Sequence, residues 1–107
     1  MSPENLEMDN EFLERVSKRS LREAEEGLML AILEDAIACF KKYALARGGK
    51  GKALFQEAER WIMDESSDWI FSFENICEVF GLDPRYVREG LMQWKERSLL
   101  REAASRA

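Results

Sequence analysis

Histidine is absent from this chain of 107 residues, and cysteine and proline each occur only twice. Without histidine, no histidine-based triad or nucleophile–base pair can be assembled. Two cysteines far apart, Cys39 and Cys77, do not make a zinc-ligand set. No metal, cofactor or enzymatic activity is therefore expected. Asp64, Glu65 and Asp68 bunch together, but on a polar turn where simple solvation accounts for them. No apolar run reaches membrane length, and the opening MSPENLEMDN lacks the basic-then-apolar order of a signal peptide. The expectation is a cytoplasmic protein with no membrane partner. Both cysteines fall on apolar helix faces and read as buried, reduced thiols.

What is present is charge and apolar surface, at 35% and 46% of residues, in a chain long enough for one domain. The net charge of −5 argues against a nucleic-acid partner, but the charge is banded. Residues 1–35 carry −6, residues 36–56 carry +5 with no acid, residues 57–84 carry −7, and residues 85–107 carry +3. Both positive bands are candidate contacts for a polyanion.

Along the chain, residues 1–9 are polar and acidic and read as a disordered tail, leaving 10–107 as a single helical domain. Asn10–Arg19 is compatible with a short helix. Ser20 with Glu23 forms a capping-box pattern that would open a long helix to about Arg47, ended by Gly48 and Gly49. On that helix the apolar residues fill an arc of roughly 200°, wider than a surface helix needs. The excess predicts a homodimer seam through Leu28, Ile32, Leu33 and Phe40. The alternative is a monomer in which residues 10–19 and the C-terminal tail cover the extra face.

Arg47–Lys52 contains three glycines but lacks the spacing and the Ser/Thr of a phosphate loop, so it reads as a basic connector. A helix follows over Lys52–Asp64 with Leu54, Ala58, Trp61 and Ile62 on its apolar face. Trp69, Ile70 and Phe71 are expected to be buried beneath the next segment.

That segment is Ser72–Trp94. Ser72 is a good N-cap, and Phe71 and Ile76 are spaced for a hydrophobic staple. Ile76, Val79 and Phe80 form an apolar face, and Gly81 suits the left-handed residue that closes such a helix. Leu82 would enter the core, Asp83 would cap a second helix, and Pro84 stands at its first position. Val87, Leu91 and Trp94 then share a face.

This pattern resembles the helix-turn-helix superfamily, with a small residue, Cys77, four before the turn glycine. It departs from that pattern at Gly90, where an aliphatic residue is usual, and at the acidic Asp83. The resemblance implies an all-α fold of four to five helices, with a C-terminal helix-turn-helix over 72–96 and a long central scaffold helix. It also implies a small dimeric bacterial-type transcriptional regulator or phage-like protein that binds double-stranded DNA. Arg85, Arg88, Glu89 and Met92 would face base edges, and Lys95, Lys50 and Lys52 would meet phosphates. Acids beside the motif leave open a second reading, an adaptor that binds a protein partner through a degenerate helix-turn-helix and the wide apolar helix face.

Overall fold

The computed structural model describes residues 3–106, with side chains for Glu11 and from Leu13 onward. The fold is all-α, with four helices among the described residues: α1 (Pro3–Tyr43), α2 (Gly49–Met63), α3 (Phe73–Val79) and α4 (Pro84–Arg106).

α1 is one uninterrupted helix of 41 residues, and this corrects two expectations. The stretch over residues 1–9 expected to be disordered is helical from Pro3, its first two residues lying outside the described part. The capping box at Ser20 is not used, because helix continues through it. From Asn10 to Glu26 the chain has no proline or glycine, and it offers Glu14/Lys18 and Arg22/Glu26 at i,i+4 spacing. Continuous helix therefore satisfies the backbone better than a break would. Among the residues of α1 whose side chains are described, Met29 is the first buried one, and Glu11 and residues 13–28 are exposed.

The buried core lies around the C-terminal part of α1. Met29, Leu33, Phe40 and Ala44 meet Phe55, Ala58 and Ile62 of α2, Phe73, Ile76 and Cys77 of α3, and Leu91 of α4. Phe40 is fully buried, with its ring centroid 4.9 Å from that of Phe55 and 6.3 Å from that of Trp94. Leu33 and Phe40, expected at a dimer seam, are thus committed to the chain's own core. Ile32 is half-buried against that core, and of the four seam residues only Leu28 is exposed.

α1 ends at Tyr43 rather than Arg47, and the turn leads through extended Gly48 to Gly49 at φ 68°. α2 begins there, earlier than expected, so Lys50 and Lys52 lie on its first turn instead of on a connector. A Cβ on Gly51 would stand 3.0 Å from the Tyr43 ring, so this glycine lets the two helices approach closely.

The local signals of the motif hold. The Ser72 hydroxyl accepts from the Asn75 N–H at 3.2 Å, and Ser72 itself is buried. At the other end of α3, the Gly81 N–H donates to Glu78 O at 3.1 Å and the Leu82 N–H to Cys77 O at 2.8 Å. These two bonds with Gly81 at φ 67° make a Schellman closure. Asp83 Oδ1 accepts from the Arg85 N–H at 3.0 Å, capping α4 with Pro84 at its first position.

The expected burial around the motif does not all hold. Trp69, Ile70, Val79 and Leu82 are exposed, while Phe73, not assigned to the core beforehand, is fully buried. Gly90 does not mediate close packing, since a Cβ there would meet nothing within 4 Å.

Two glycine substitutions test the turn. Gly81→Val should destabilise by about 1–3 kcal/mol, because only the backbone conformation resists the side chain. Gly90→Ala should stabilise by about 0.5–1 kcal/mol through helix propensity alone. Thermal midpoints moving in opposite directions would bear out the assignment; a normal midpoint for Gly81→Val would count against it.

Candidate nucleic-acid interface

α4 carries the site, and its orientation is set by Arg88. The Arg88 Nε donates to Ile62 O at 2.7 Å and Nη2 donates to Asp64 O at 3.0 Å. Both acceptors lie at the end of α2, where carbonyls lack partners within the helix. Nη1 donates to Glu74 Oε1 at 3.1 Å in an ion pair whose side chains are 13% and 22% exposed. The guanidinium also lies over the Phe73 ring, 4.9 Å from its centroid. One side chain thereby joins the end of α2, the first turn of α3 and the second turn of α4.

α4 then runs back along α2. Lys95 Nζ pairs with Glu59 Oε2 at 3.2 Å and sits over the Phe55 ring, and further on Arg47 pairs with Glu102 at 3.7 Å. This geometry sorts the seven expected DNA contacts into three groups. Arg85, Glu89 and Met92 are exposed on the outer face of α4. Arg88 and Lys95 are turned inward and ion-paired. Lys50 and Lys52 are exposed on the first turn of α2, at the opposite end of that helix from Ile62, whose carbonyl Arg88 holds.

Helical geometry shows why the expectation grouped them together. At about 100° per residue, Arg88 lies roughly 60° and Lys95 roughly 40° from buried Leu91, whereas Arg85 lies roughly 120° away. Arg88 and Lys95 therefore border the apolar face. Two outward residues were missed: Tyr86, 77% exposed beside Arg85, and exposed Gln93. Their place on the wheel between Glu89 and Arg97 was the available signal.

The surroundings are acidic. Glu65, Glu74 and Glu78 line a shallow groove of about 350 Å³ with Ser67, Leu82 and Pro84. Cys77 sits on the buried face of α3, and burial, with Glu74 second, pushes its thiol up to about 11 from 9.0. Arg88 acts in the opposite direction, and Asp83 adds slightly to the rise. Among the described residues no cluster of His, Cys, Asp or Glu is arranged to hold a metal ion, and no helix is long and apolar enough to cross a membrane.

Arg88→Ala should lower stability to urea by about 2 kcal/mol, from the loss of charged hydrogen bonds to carbonyls left partly buried. Arg88→Lys should recover little, because an ammonium cannot reproduce the fork. Arg85→Ala should leave the urea midpoint unchanged, and equal effects from the two arginines would contradict this division of roles.

Cys77 gives a pH prediction. Its folded-state pKa is raised, so an unfolded chain ionises first as pH climbs. Its contribution is complete below about pH 9 and declines toward about pH 11. The stability gap between wild type and Cys77→Ala should narrow across that window, and a constant gap would refute it.

No protein-family model, curated protein or solved structure matches this chain, so its functional reading rests on the geometry of α3 and α4.

Proposed function

We propose that this chain is a helix-turn-helix DNA-binding protein in which the first turns of α4 enter the major groove. The observation that carries the reading is the paired closure of the motif. Ser72 opens α3, left-handed Gly81 closes it, and Asp83 with Pro84 opens α4. That arrangement seats Val87 and Leu91 inward and leaves Arg85, Tyr86, Glu89, Met92 and Gln93 on the outer side.

Four of the five outward residues have a use against base edges. Arg85 can donate two hydrogen bonds to guanine O6 and N7, and Glu89 can accept from cytosine N4. Met92 and the Tyr86 ring offer apolar contact to a thymine methyl. Arg88 acts as a positioning residue, holding α4 at its angle to α3. Lys50 and Lys52 can meet phosphates farther along the duplex, where the first turn of α2 has no acid and no side-chain cap. On this reading the chain would serve as a small transcriptional regulator or a phage-like DNA-handling protein.

A second reading is favoured by the acidic groove and the exposed apolar residues around it. Trp69, Ile70, Val79 and Leu82 lie near Glu65, Glu74 and Glu78 in the chain or in the groove, a combination suited to a basic, apolar protein segment. Phosphates would be repelled there, so the duplex must approach α4 from its other side.

The test is selection of duplexes from a random library, followed by fluorescence anisotropy across a salt series. Arg85→Ala should weaken binding to the selected sequence about tenfold, with its fold intact. Affinity should fall steeply as salt rises, the slope counting the phosphates contacted. No binding by the folded protein at about 50 mM salt, where phosphate contacts are strongest, would transfer the reading to the protein-interaction module.

A further inference from the structure

We propose that two copies of this chain pair through the N-terminal part of α1, arm against arm and antiparallel. This inference stands apart from the DNA reading and would survive its failure.

Among the described residues, the arm buries none of its side chains against the rest of the chain. From Leu13 to Leu28 no described residue is buried, and the molecule measures 79 Å along an axis beside which its other dimensions are 25 and 21 Å. The radius of gyration is 20.7 Å, against roughly 13 Å for a compact chain of this length. The accessible surface is 8288 Å², about 2,000 Å² more than a compact monomer of this mass would expose. Two copies therefore carry ample surplus surface for an interface of ordinary size, about 1,600 Å² in total.

The surplus has an apolar side. Leu13, Val16, Leu21 and Leu28 are between 40% and 71% exposed, and with Ala24 they span an arc of roughly 140°. That arc faces away from Met29, Leu33 and Phe40, the core face of the same helix. In proteins most helical stability comes from packing of such an amphipathic face. A Cβ on Gly27 would meet nothing within 4 Å, so the same side also offers a point of close approach.

Charge identifies the occupant and its direction. Residues 15–22 carry Arg15, Lys18, Arg19 and Arg22 and no acid, while residues 23–26 carry Glu23, Glu25 and Glu26 and no base. A parallel second copy would lay basic segment on basic and acidic on acidic. An antiparallel copy lays the acidic residues 23–26 over the basic residues 15–18, with 19–22 crossing their own counterparts at the twofold axis. The register that sets Leu13 over Leu28 of the second copy brings Leu21 near the twofold axis and Ser17 near Ala24. Lys18 and Glu25 share one flank of the stripe, and Arg19 and Glu23 share the other. In an antiparallel pair equivalent flanks adjoin, so Lys18 meets Glu25 and Arg19 meets Glu23, each twice.

Sedimentation of the full chain should give twice its mass of 12.5 kDa at about 100 µM, with dissociation on dilution. Leu21→Glu/Leu28→Glu should sediment as a monomer with unchanged near-ultraviolet circular dichroism, since Trp61 and Trp94 pack in the body and not on the arm. Direction is read by cross-linking in a Cys39→Ser background under oxidised glutathione. Leu13→Cys chains mixed with Leu28→Cys chains should form a cross-linked dimer, and neither should do so alone. A monomeric wild type, a dimer that survives the double glutamate variant, or self-cross-linking by Leu13→Cys would each overturn the proposal.

Discussion

The arrangement of the C-terminal half depends on where one guanidinium is placed. Arg88 meets two carbonyls at the end of α2, a carboxylate on α3 and the face of Phe73. Only arginine has a planar fork that can serve divergent acceptors and stack at the same time. The carbonyls at Ile62 and Asp64 need a donor because α2 stops there, and α3 is too short to define its own direction. With these groups tied together, the angle of α4 to α3 no longer depends on the turn alone. Lys95 repeats the device farther along, pairing with Glu59 over the ring of Phe55. The same economy limits function, since two cations used internally cannot also neutralise phosphates.

α1 divides into two parts with different partners. From Met29 onward its apolar residues point into the body, where Phe40 touches aromatic rings from both α2 and α4. From Leu13 to Leu28 the apolar residues lie on the opposite side of the helix and are exposed. The arc of roughly 200° inferred for the scaffold helix was drawn from Leu28 onward, and the structure divides it, burying Met29, Leu33, Phe40 and Ala44 while Leu28 and Leu30 at its edges stay exposed. A wide apolar face was therefore a sound observation, with the core and the free surface assigned to the wrong residues within it.

How much could be read in advance follows sequence distance. Ser72, Gly81 and Asp83 act on backbone groups within five residues of themselves, and each was legible. Arg88 acts on groups 14 to 26 residues away, and its acceptors carry no side-chain signature because two of them are backbone carbonyls. Trp69 and Leu82 are large and apolar, which favours burial on average. They lie in loops that cross the surface, and α3 is too short to cover them. The acids of residues 57–84 were legible as charge. Their convergence as Glu65, Glu74 and Glu78 on one groove required the turn before α3 to be placed.

The two proposals constrain each other through geometry. In the antiparallel pairing, Leu21 stands near the twofold axis and the body of each copy begins at Met29. At 1.5 Å per residue the bodies then start roughly 24 Å apart, on opposite sides of the axis. Two-fold helix-turn-helix proteins present their recognition helices about 34 Å apart, one turn of DNA. On the two proposals together, an arm of this length would set the two bodies apart by a distance of the same order as the spacing of adjacent major grooves. A seam through Leu33 and Phe40 would instead have to dismantle the core that holds α4 in place.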